Sequence, residues 1–373
     1  MPAASHTFLT LKFLGGLALT AAVAAAAAFA GSASAAAAAK DNELLITTGG
    51  GTWEAAQRKA YFEPFEKATG IHIVLIPEDH AKLLASVSMG KPEADLTSVN
   101  AGELAGFVRR DAVTPIDYKY FDADTLANMA DHLKSKYGVG AVVFSIVMAY
   151  NTVEYPASKK RPANWREFFD TKRFPGPRSM AGCAKIVEGG DLEFASLAAG
   201  ADPKHLYPID VDKAFEKLAE LKPDIGKWWT SGGEAPQNLV SGEVSMSTAY
   251  NGRVFAARKA GAPIDFTNYQ SLVQNDFWIV MKNSPNVDNA MKFLGFISKP
   301  TPQSVFSNEI GYGPINQKAY ALIKPEIAKS LPGAPGNADS QLVQDYGWWS
   351  AADAAGQTNW DKAVKRCTAL LSQ

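Results

Sequence analysis

Glycine-rich and polar segments that follow strand-like runs are the parts of this sequence best suited to bind a small ligand or take part in a reaction. Gly49-Gly50-Gly51-Thr52-Trp53 offers backbone amides and the flat face of an indole ring to a small ligand. Ser98-Val99-Asn100 and Ala249-Tyr250-Asn251-Gly252-Arg253 each end an apolar run, and the latter combines N–H groups, an amide and a guanidinium. Because α/β sheets bind ligands where strands end and helices begin, these segments predict a site for a small polar molecule.

The same residues also fit purely structural roles. Trp53 could be the first core residue of a helix, Asn100 a helix cap, and Arg253 an exposed surface cation. A fourth segment, Gly311 to Asn316, places glycines around Tyr312 just before a helix-like run. In the pair Trp348-Trp349, neighbouring side chains face different ways, so at most one is expected to line a pocket.

Enzyme motifs are not found in the sequence. It contains no G-x-S-x-G, no H-E-x-x-H and no phosphate-binding loop ending in Gly-Lys-Ser/Thr. His72, His80, His132 and His205 are not at metal-ligand spacing from one another. We therefore expect no catalytic residue, no metal and no cofactor, although a Ser/His/Asp triad of distant residues stays open.

The N-terminal segment predicts export. A short polar start ends at Lys12, Phe13 to Ala30 is apolar and Ala-rich, and small residues from Gly31 to Ala35 resemble a cleavage site. Residues 1–35 are therefore expected to be a cleavable signal peptide, with an uncleaved anchor as the alternative. The first cysteine is Cys183, which argues against lipid attachment and predicts a soluble periplasmic protein.

Charge, length and cysteine content limit the possible partners, domain number and disulfide bonding of the chain. A formal net charge of −1 suggests neither nucleic acid nor an anionic membrane as partner. The length exceeds what one core usually supports, so two domains are expected. Two cysteines in an oxidising compartment leave open both a Cys183–Cys367 disulfide and two unpaired buried thiols.

Hydrophobic periodicity predicts an α/β fold. Strand, glycine loop, helix and strand follow one another between Glu43 and Leu75, with Thr52 as the expected cap of a helix over 53–68. Amphipathic patterns predict further helices over 211–221, 287–297, 340–346 and 359–371. Strands are expected over 139–150, 243–250, 263–267 and 276–281.

The chain resembles the substrate-binding proteins of ABC importers, of the spermidine/putrescine-binding type in bacterial extracellular solute-binding family 1. The resemblance rests on the run from Gly242 to Asp265, followed by Asp276-Phe277-Trp278, on Ile310 to Asn316, and on Phe174 to Arg178. It implies a two-lobed periplasmic binding protein type II fold with a doubly crossed hinge. Lobe one would be 42–140 plus 278–316, and lobe two 141–277 plus 317–373.

The resemblance also implies a set of ligand-binding positions. They are Thr52, Trp53, Ser98, Asn100, Tyr250, Asn251, Asp276 and Trp278, with Trp348 as a looser match and Arg253 added from its place beside them. Tyr250 stands where the family usually has Trp, and Arg253 would repel a polycation. Asp191, Glu193 and Glu234 could supply negative charge, or could be solvated surface acids.

These observations predict a monomeric periplasmic receptor that delivers an amine-bearing, polyamine-like solute to an ABC permease in the inner membrane and its cytoplasmic ATPase. An amino-acid-like, opine or phosphonate zwitterion is the alternative ligand, and ferric iron is disfavoured because no Tyr-Tyr pair occurs. A sensor or adhesin, and an exported hydrolase on the same scaffold, remain alternatives of a different class.

Overall fold

The computed structural model describes residues 42–334 and 336–372, and the expected signal peptide lies outside them. Strands in this part of the chain belong to one mixed sheet. Their bounds are β1 Glu43–Thr48, β2 His72–Pro77, β3 Leu96–Asn100, β4 Val113–Thr114, β5 Val139–Asn151, β6 Arg178–Ala181, β7 Ile225–Trp229, β8 Met246–Tyr250, β9 Ile264–Met281 and β10 Leu342–Val343. The sheet order is β2-β1-β3-β9-β5-β8-β6-β7, and β4 and β10 also pair with β9.

Helices connect these strands. Their bounds are α1 Gly51–Gln57, α2 Glu63–Thr69, α3 His80–Ser88, α4 Ala101–Arg109, α5 Ala123–Ala127, α6 Trp165–Phe169, α7 Asp191–Ala198, α8 Val211–Leu221, α9 Glu234–Val240, α10 Asn251–Lys259, α11 Val287–Ile297, α12 Pro300–Ile310, α13 Pro325–Ala328, α14 Tyr346–Ser350 and α15 Asn359–Leu371. A π-helical turn, Arg58–Phe62, joins α1 to α2. The α/β class expected from periodicity is confirmed.

Two long antiparallel strands, β5 and β9, form the middle of the sheet. They pair from Val139 opposite Trp278 to Asn151 opposite Ile264, with two interruptions in register. The two short strands expected over 263–267 and 276–281 are therefore one strand. Residues between them stay in the ladder because Phe144 to Ile146 pair with Leu272 to Gln274.

Buried side chains divide into two main hydrophobic cores. One core draws on residues 44–144 and 278–315, and the other on residues 146–272 and 342–367. The change from one core to the other falls within β5 and within β9, so these strands join two lobes. The predicted boundaries, 42–140 plus 278–316 and 141–277 plus 317–373, remain a proposal that this division of buried residues supports.

Three local expectations need correction. Residues 340–346 are not a helix, because Leu342 and Val343 form β10 along β9. Gly50, and not Thr52, occupies the N-cap of α1, with a positive φ of 69° that suits glycine. Asp191 and Glu193 are completely buried within the second lobe and are not solvated surface acids.

Cys183 and Cys367 are joined by a disulfide with their Cα atoms 5.4 Å apart. The bond ties the short 3-10 turn Cys183–Lys185 to helix α15.

None of the helices formed by the described residues is both long enough and apolar enough to cross a membrane.

Candidate functional site

A cavity of about 400 Å³ opens where several strands end. Trp53 enters it from α1, Asn100 from the end of β3, and Tyr250 from the end of β8. Gln274 and Asp276 enter from β9, where alternate residues point to the same face of the sheet. Residues of both lobes therefore line one site. Its walls also include Gly49, Val99, Val142, Thr230, Ser231 and Gly232.

Aromatic rings form a continuous wall of the cavity. Phe144 lies with its ring centroid 5.7 Å from that of Tyr250 and 5.9 Å from that of Tyr312, which in turn lies 6.0 Å from Trp53. Tyr312 can pack this closely only because a glycine faces it: a Cβ atom at Gly252 would lie 2.4 Å from the tyrosine ring. The wall is suited to a methylene chain.

Four carboxylates of the cavity act on one another electrostatically. They are Glu78, just beyond the end of β2, Glu103 in α4, Glu188 in the loop before α7, and Asp276 in β9. Glu103 is held by a capping box: its carboxylate accepts the Asn100 backbone N–H at 3.2 Å, and its own N–H donates to Asn100 Oδ1 at 2.8 Å. This side of the cavity attracts cations.

His80 compensates one of these carboxylates. Its Nδ1 lies 3.0 Å from Glu103 Oε1, and its Nε2 lies 3.8 Å from Glu78 Oε1. Burial would lower the pKa of His80, but the hydrogen bond and charge of Glu103, with the charges of Glu78 and Asp276, raise it. Burial likewise would raise the pKa of Glu103, but His80 and the Asn100 N–H lower it. His80 and Glu103 therefore form an ion pair.

Lys185 compensates a second carboxylate. Its Nζ lies 2.7 Å from Glu188 Oε2, which also accepts a hydrogen bond from the Tyr250 hydroxyl at 3.3 Å. The other oxygen, Oε1, accepts from Asn100 Nδ2 at 3.4 Å, a contact between the two sides of the cavity.

Asp276 differs from the other three carboxylates because it has neither a hydrogen-bond donor nor an ion-pair partner among the described side chains, whereas Glu78, Glu103 and Glu188 each lie within 4 Å of a histidine or lysine nitrogen. Burial, followed by the charges of Glu103, Glu188 and Glu78, raises the pKa of Asp276 to about 8, and His80 only partly opposes the rise. A carboxylate in this position gains most from an additional cation nearby.

Arg253 supplies the opposite charge. Its Nη1 donates to Thr52 Oγ1 at 3.3 Å, and none of the ion pairs formed by the described residues includes it. The charges of Arg253 and Asp276 both act on the Tyr312 hydroxyl, so all three groups share one site. A half-buried guanidinium without a carboxylate partner is a ready binding group for an anion.

The structure brings together six of the ten predicted ligand-binding residues: Trp53, Ser98, Asn100, Tyr250, Arg253 and Asp276 line the cavity. Thr52 lies beside them through its bond to Arg253. Contact of these residues with a ligand remains a prediction.

Three predicted residues lie away from the cavity. Asn251 is fully buried, where its amide accepts from the Ser145 N–H and donates to the Gly311 carbonyl. Trp278 lies on the same face of β9 as Asp276, but its ring packs against Phe293 of α11 in the lobe-one core. Trp348 packs on Tyr207 with the two ring centroids 5.6 Å apart.

Six lining residues with an ionisable or amide side chain were missed from sequence: Glu78, His80, Glu103, Lys185, Glu188 and Gln274. Glu78 and His80 directly follow the β2 run, so the rule that strand ends carry ligands could have found them. Lys185 and Glu188 lie in and just after a short turn with no periodic pattern, and no local signal points to them.

Within residues 42–334 and 336–372, no three side chains among His, Cys, Asp and Glu are placed to hold a metal ion.

Residues 60–335 match the family described as bacterial extracellular solute-binding protein. The chain is 36% identical over 306 residues to the gamma-aminobutyric acid-binding protein of Pseudomonas aeruginosa, covering 80% of this chain and 84% of that protein. It is 27% identical over 150 residues to the spermidine/putrescine-binding periplasmic protein of Escherichia coli, covering 40% and 42% of the two chains. The crystal structure of an ABC transporter substrate-binding protein from Bradyrhizobium japonicum is similar with a TM-score of 0.79 and 36% identity, covering 88% and 99%.

Proposed function

The chain belongs to the bacterial extracellular solute-binding protein family, and from this membership we propose that it is a periplasmic receptor for a small zwitterion with one ammonium and one carboxylate group. The periplasmic binding protein fold and the receptor role expected from the sequence are confirmed by the relatives. The ligand is the new part of the proposal.

One observation carries the choice of ligand. The cavity holds a guanidinium without a carboxylate partner, on Arg253, and a carboxylate without a hydrogen-bond donor among the described side chains, on Asp276. A ligand with one charge of each sign satisfies both groups at once. The aromatic wall between Trp53 and Tyr250 would hold the methylene chain that separates the ligand's charged ends.

A polyamine is the second candidate, and the excess of carboxylates in the cavity favours it. When Asp276 is ionised, the four carboxylates Glu78, Glu103, Glu188 and Asp276 outnumber the three cations His80, Lys185 and Arg253. The unpaired guanidinium argues against it, because a second ammonium group would gain no partner there.

Transport follows from the same proposal. The loaded protein would deliver its solute unchanged to an ABC permease and its ATPase, after export by the N-terminal segment. The similarity to binding proteins supports this role over hydrolysis.

A thermal-shift screen of residues 36–373 tests the proposal. The panel contains 4-aminobutyrate, longer ω-amino acids, opine-like conjugates, phosphonates, putrescine, spermidine and ferric salts. A ligand at about 1,000 times its dissociation constant adds about 4 kcal/mol, which moves the midpoint by several degrees. We expect the largest shift with an ω-amino acid.

Arg253→Gln should abolish the shift with carboxylate ligands. Arg258→Gln is the matched control, because Arg258 lies in the same helix but pairs with Asp265 at 2.6 Å and does not line the cavity. Stabilisation by polyamines alone, or carboxylate binding that survives Arg253→Gln, would overturn the proposed ligand.

A further inference from the structure

The acidic side of the cavity already contains one ammonium group, that of Lys185. This side chain is 40% exposed, lines the cavity, and lies against Glu188, which is only 15% exposed. We propose that Lys185 determines specificity: it is a tethered cation that leaves room in the carboxylate cluster for one ligand ammonium group and excludes a linear diamine. The inference rests on the proposed function and names the residue that separates its two candidate ligand classes.

Lys185 interacts with the whole carboxylate cluster. Burial would lower the pKa of Lys185, but the charge and hydrogen bond of Glu188, then the charges of Glu103 and Asp276, raise it. Burial acts to raise the pKa of Glu78 and the pKa of Glu103. The charge of Lys185 acts to lower both pKa values. The ammonium group is therefore within the field of all four carboxylates.

The backbone around Lys185 is fixed on several sides. The Gly182 N–H donates to the Trp229 carbonyl at 2.7 Å, and the Lys185 N–H donates to the Gly182 carbonyl at 2.7 Å. The neighbouring Cys183 is bonded to Cys367 in α15. Lys185 is thus held at the cavity by the fold, unlike a lysine on a free surface.

Matching the charges shows what remains for a ligand. His80 pairs with both Glu103 and Glu78, and Lys185 pairs with Glu188. Among these four carboxylates, Asp276 forms no ion pair with a described residue, so it is the one left for an added ammonium group. A second ammonium group would have to lie in the rest of the same cavity, with Lys185 and the unpaired Arg253 in its walls. Like charges that share one partly buried cavity repel each other more strongly than they would in water.

Calorimetry with two ligands of matched length tests this inference. Putrescine and 4-aminobutyrate both have four carbons and differ at one end, which is an ammonium group in the first and a carboxylate in the second. We expect the wild type to bind 4-aminobutyrate at least about 100-fold more tightly. Lys185→Met should strengthen putrescine binding about tenfold or more and should change 4-aminobutyrate binding by a smaller factor, so that the ratio of the two affinities falls.

Lys217→Met is the matched control, because Lys217 forms an i,i+3 ion pair with Glu220 of the same kind but lies in α8, outside the cavity. Lys185→Arg, which keeps the charge, should keep the discrimination, and Lys185→Gln replaces Lys185→Met if the latter does not fold. Equal effects on both ligands, or none, would overturn the role of Lys185. Failure of the wild type to bind 4-aminobutyrate would instead overturn the proposed function.

Discussion

Asp276 is the residue on which the ligand assignment depends most. Its partner on the neighbouring strand, Asn100, is engaged with Glu103 and Glu188 and donates nothing to it. Burial and the surrounding carboxylates keep the pKa of Asp276 near 8, so the unliganded protein holds a proton there at neutral pH. Binding of an ammonium group requires the ionised form, and that proton must leave.

Affinity for an amine-bearing ligand should therefore rise with pH. Below a pKa of about 8, each pH unit costs up to about tenfold in affinity, and the dependence should flatten above it. Titration calorimetry between pH 6 and 9 measures this. Asp276→Asn should weaken binding and remove most of the dependence. Some slope from His80 remains, because loss of its proton also makes the cluster more negative.

Asp265→Asn is the control on the same strand, since Asp265 pairs with Arg258 outside the cavity. The unliganded Asp276→Asn variant should also gain stability relative to the wild type as pH rises. A group whose pKa is raised on folding loses stability between its unfolded and folded values, here from about 4 to about 8. An affinity that is independent of pH from 6 to 9 would contradict this account.

Sequence reasoning reached the residues that follow strands but not the charges that surround them. Trp53, Asn100 and Tyr250 were found because glycine, amide and aromatic residues follow apolar runs. Lys185 and Glu188 are brought to the cavity by chain folding alone, and no spacing in the sequence pairs them with Asn100 or Asp276. The balance of charges in the site could therefore not be predicted from the sequence.

At the scale of elements, the disulfide links the C-terminal helix to the turn that carries Lys185. Cys367 lies in α15, and Cys183 begins the turn that ends at Lys185. A covalent link across 184 residues restricts the unfolded chain and holds this turn beside the cavity.

Replacing both cysteines, Cys183→Ser with Cys367→Ser, should lower the free energy of unfolding by about 2–5 kcal/mol. Chemical denaturation with and without reductant measures this, and reductant should act on the wild type but not on the double variant. An unchanged denaturation midpoint on reduction, or two thiols labelled in unreduced, denatured wild type, would contradict the bond.

Elements with a full amphipathic pattern were predicted well, whereas elements defined by long-range pairing were not. Helices α8 and α15 begin and end as periodicity predicts, because each has a complete apolar face and a side-chain cap. The expected helix over 340–346 failed because Leu342 and Val343 find strand partners in Leu272 and Val273, far away in sequence. Local propensity does not contain that information.

At the scale of the whole molecule, β5 and β9 connect the two lobes and separate two cavities. Gln274 and Asp276 line the proposed ligand site, whereas Val273, Asn275 and Phe277 line a cavity of about 610 Å³ on the other face. Rotation of the lobes about these strands would change both cavities together, as expected of a hinge in binding proteins that close on their ligands.

A crystal structure of residues 36–373 grown with 4-aminobutyrate tests the central claim most directly. We predict closed lobes, with the ligand carboxylate on the Arg253 guanidinium, its ammonium group on Asp276 and its chain against Trp53 and Tyr250. A ligand bound in the opposite direction, or a cavity that binds only a diamine across the carboxylate cluster, would contradict the account.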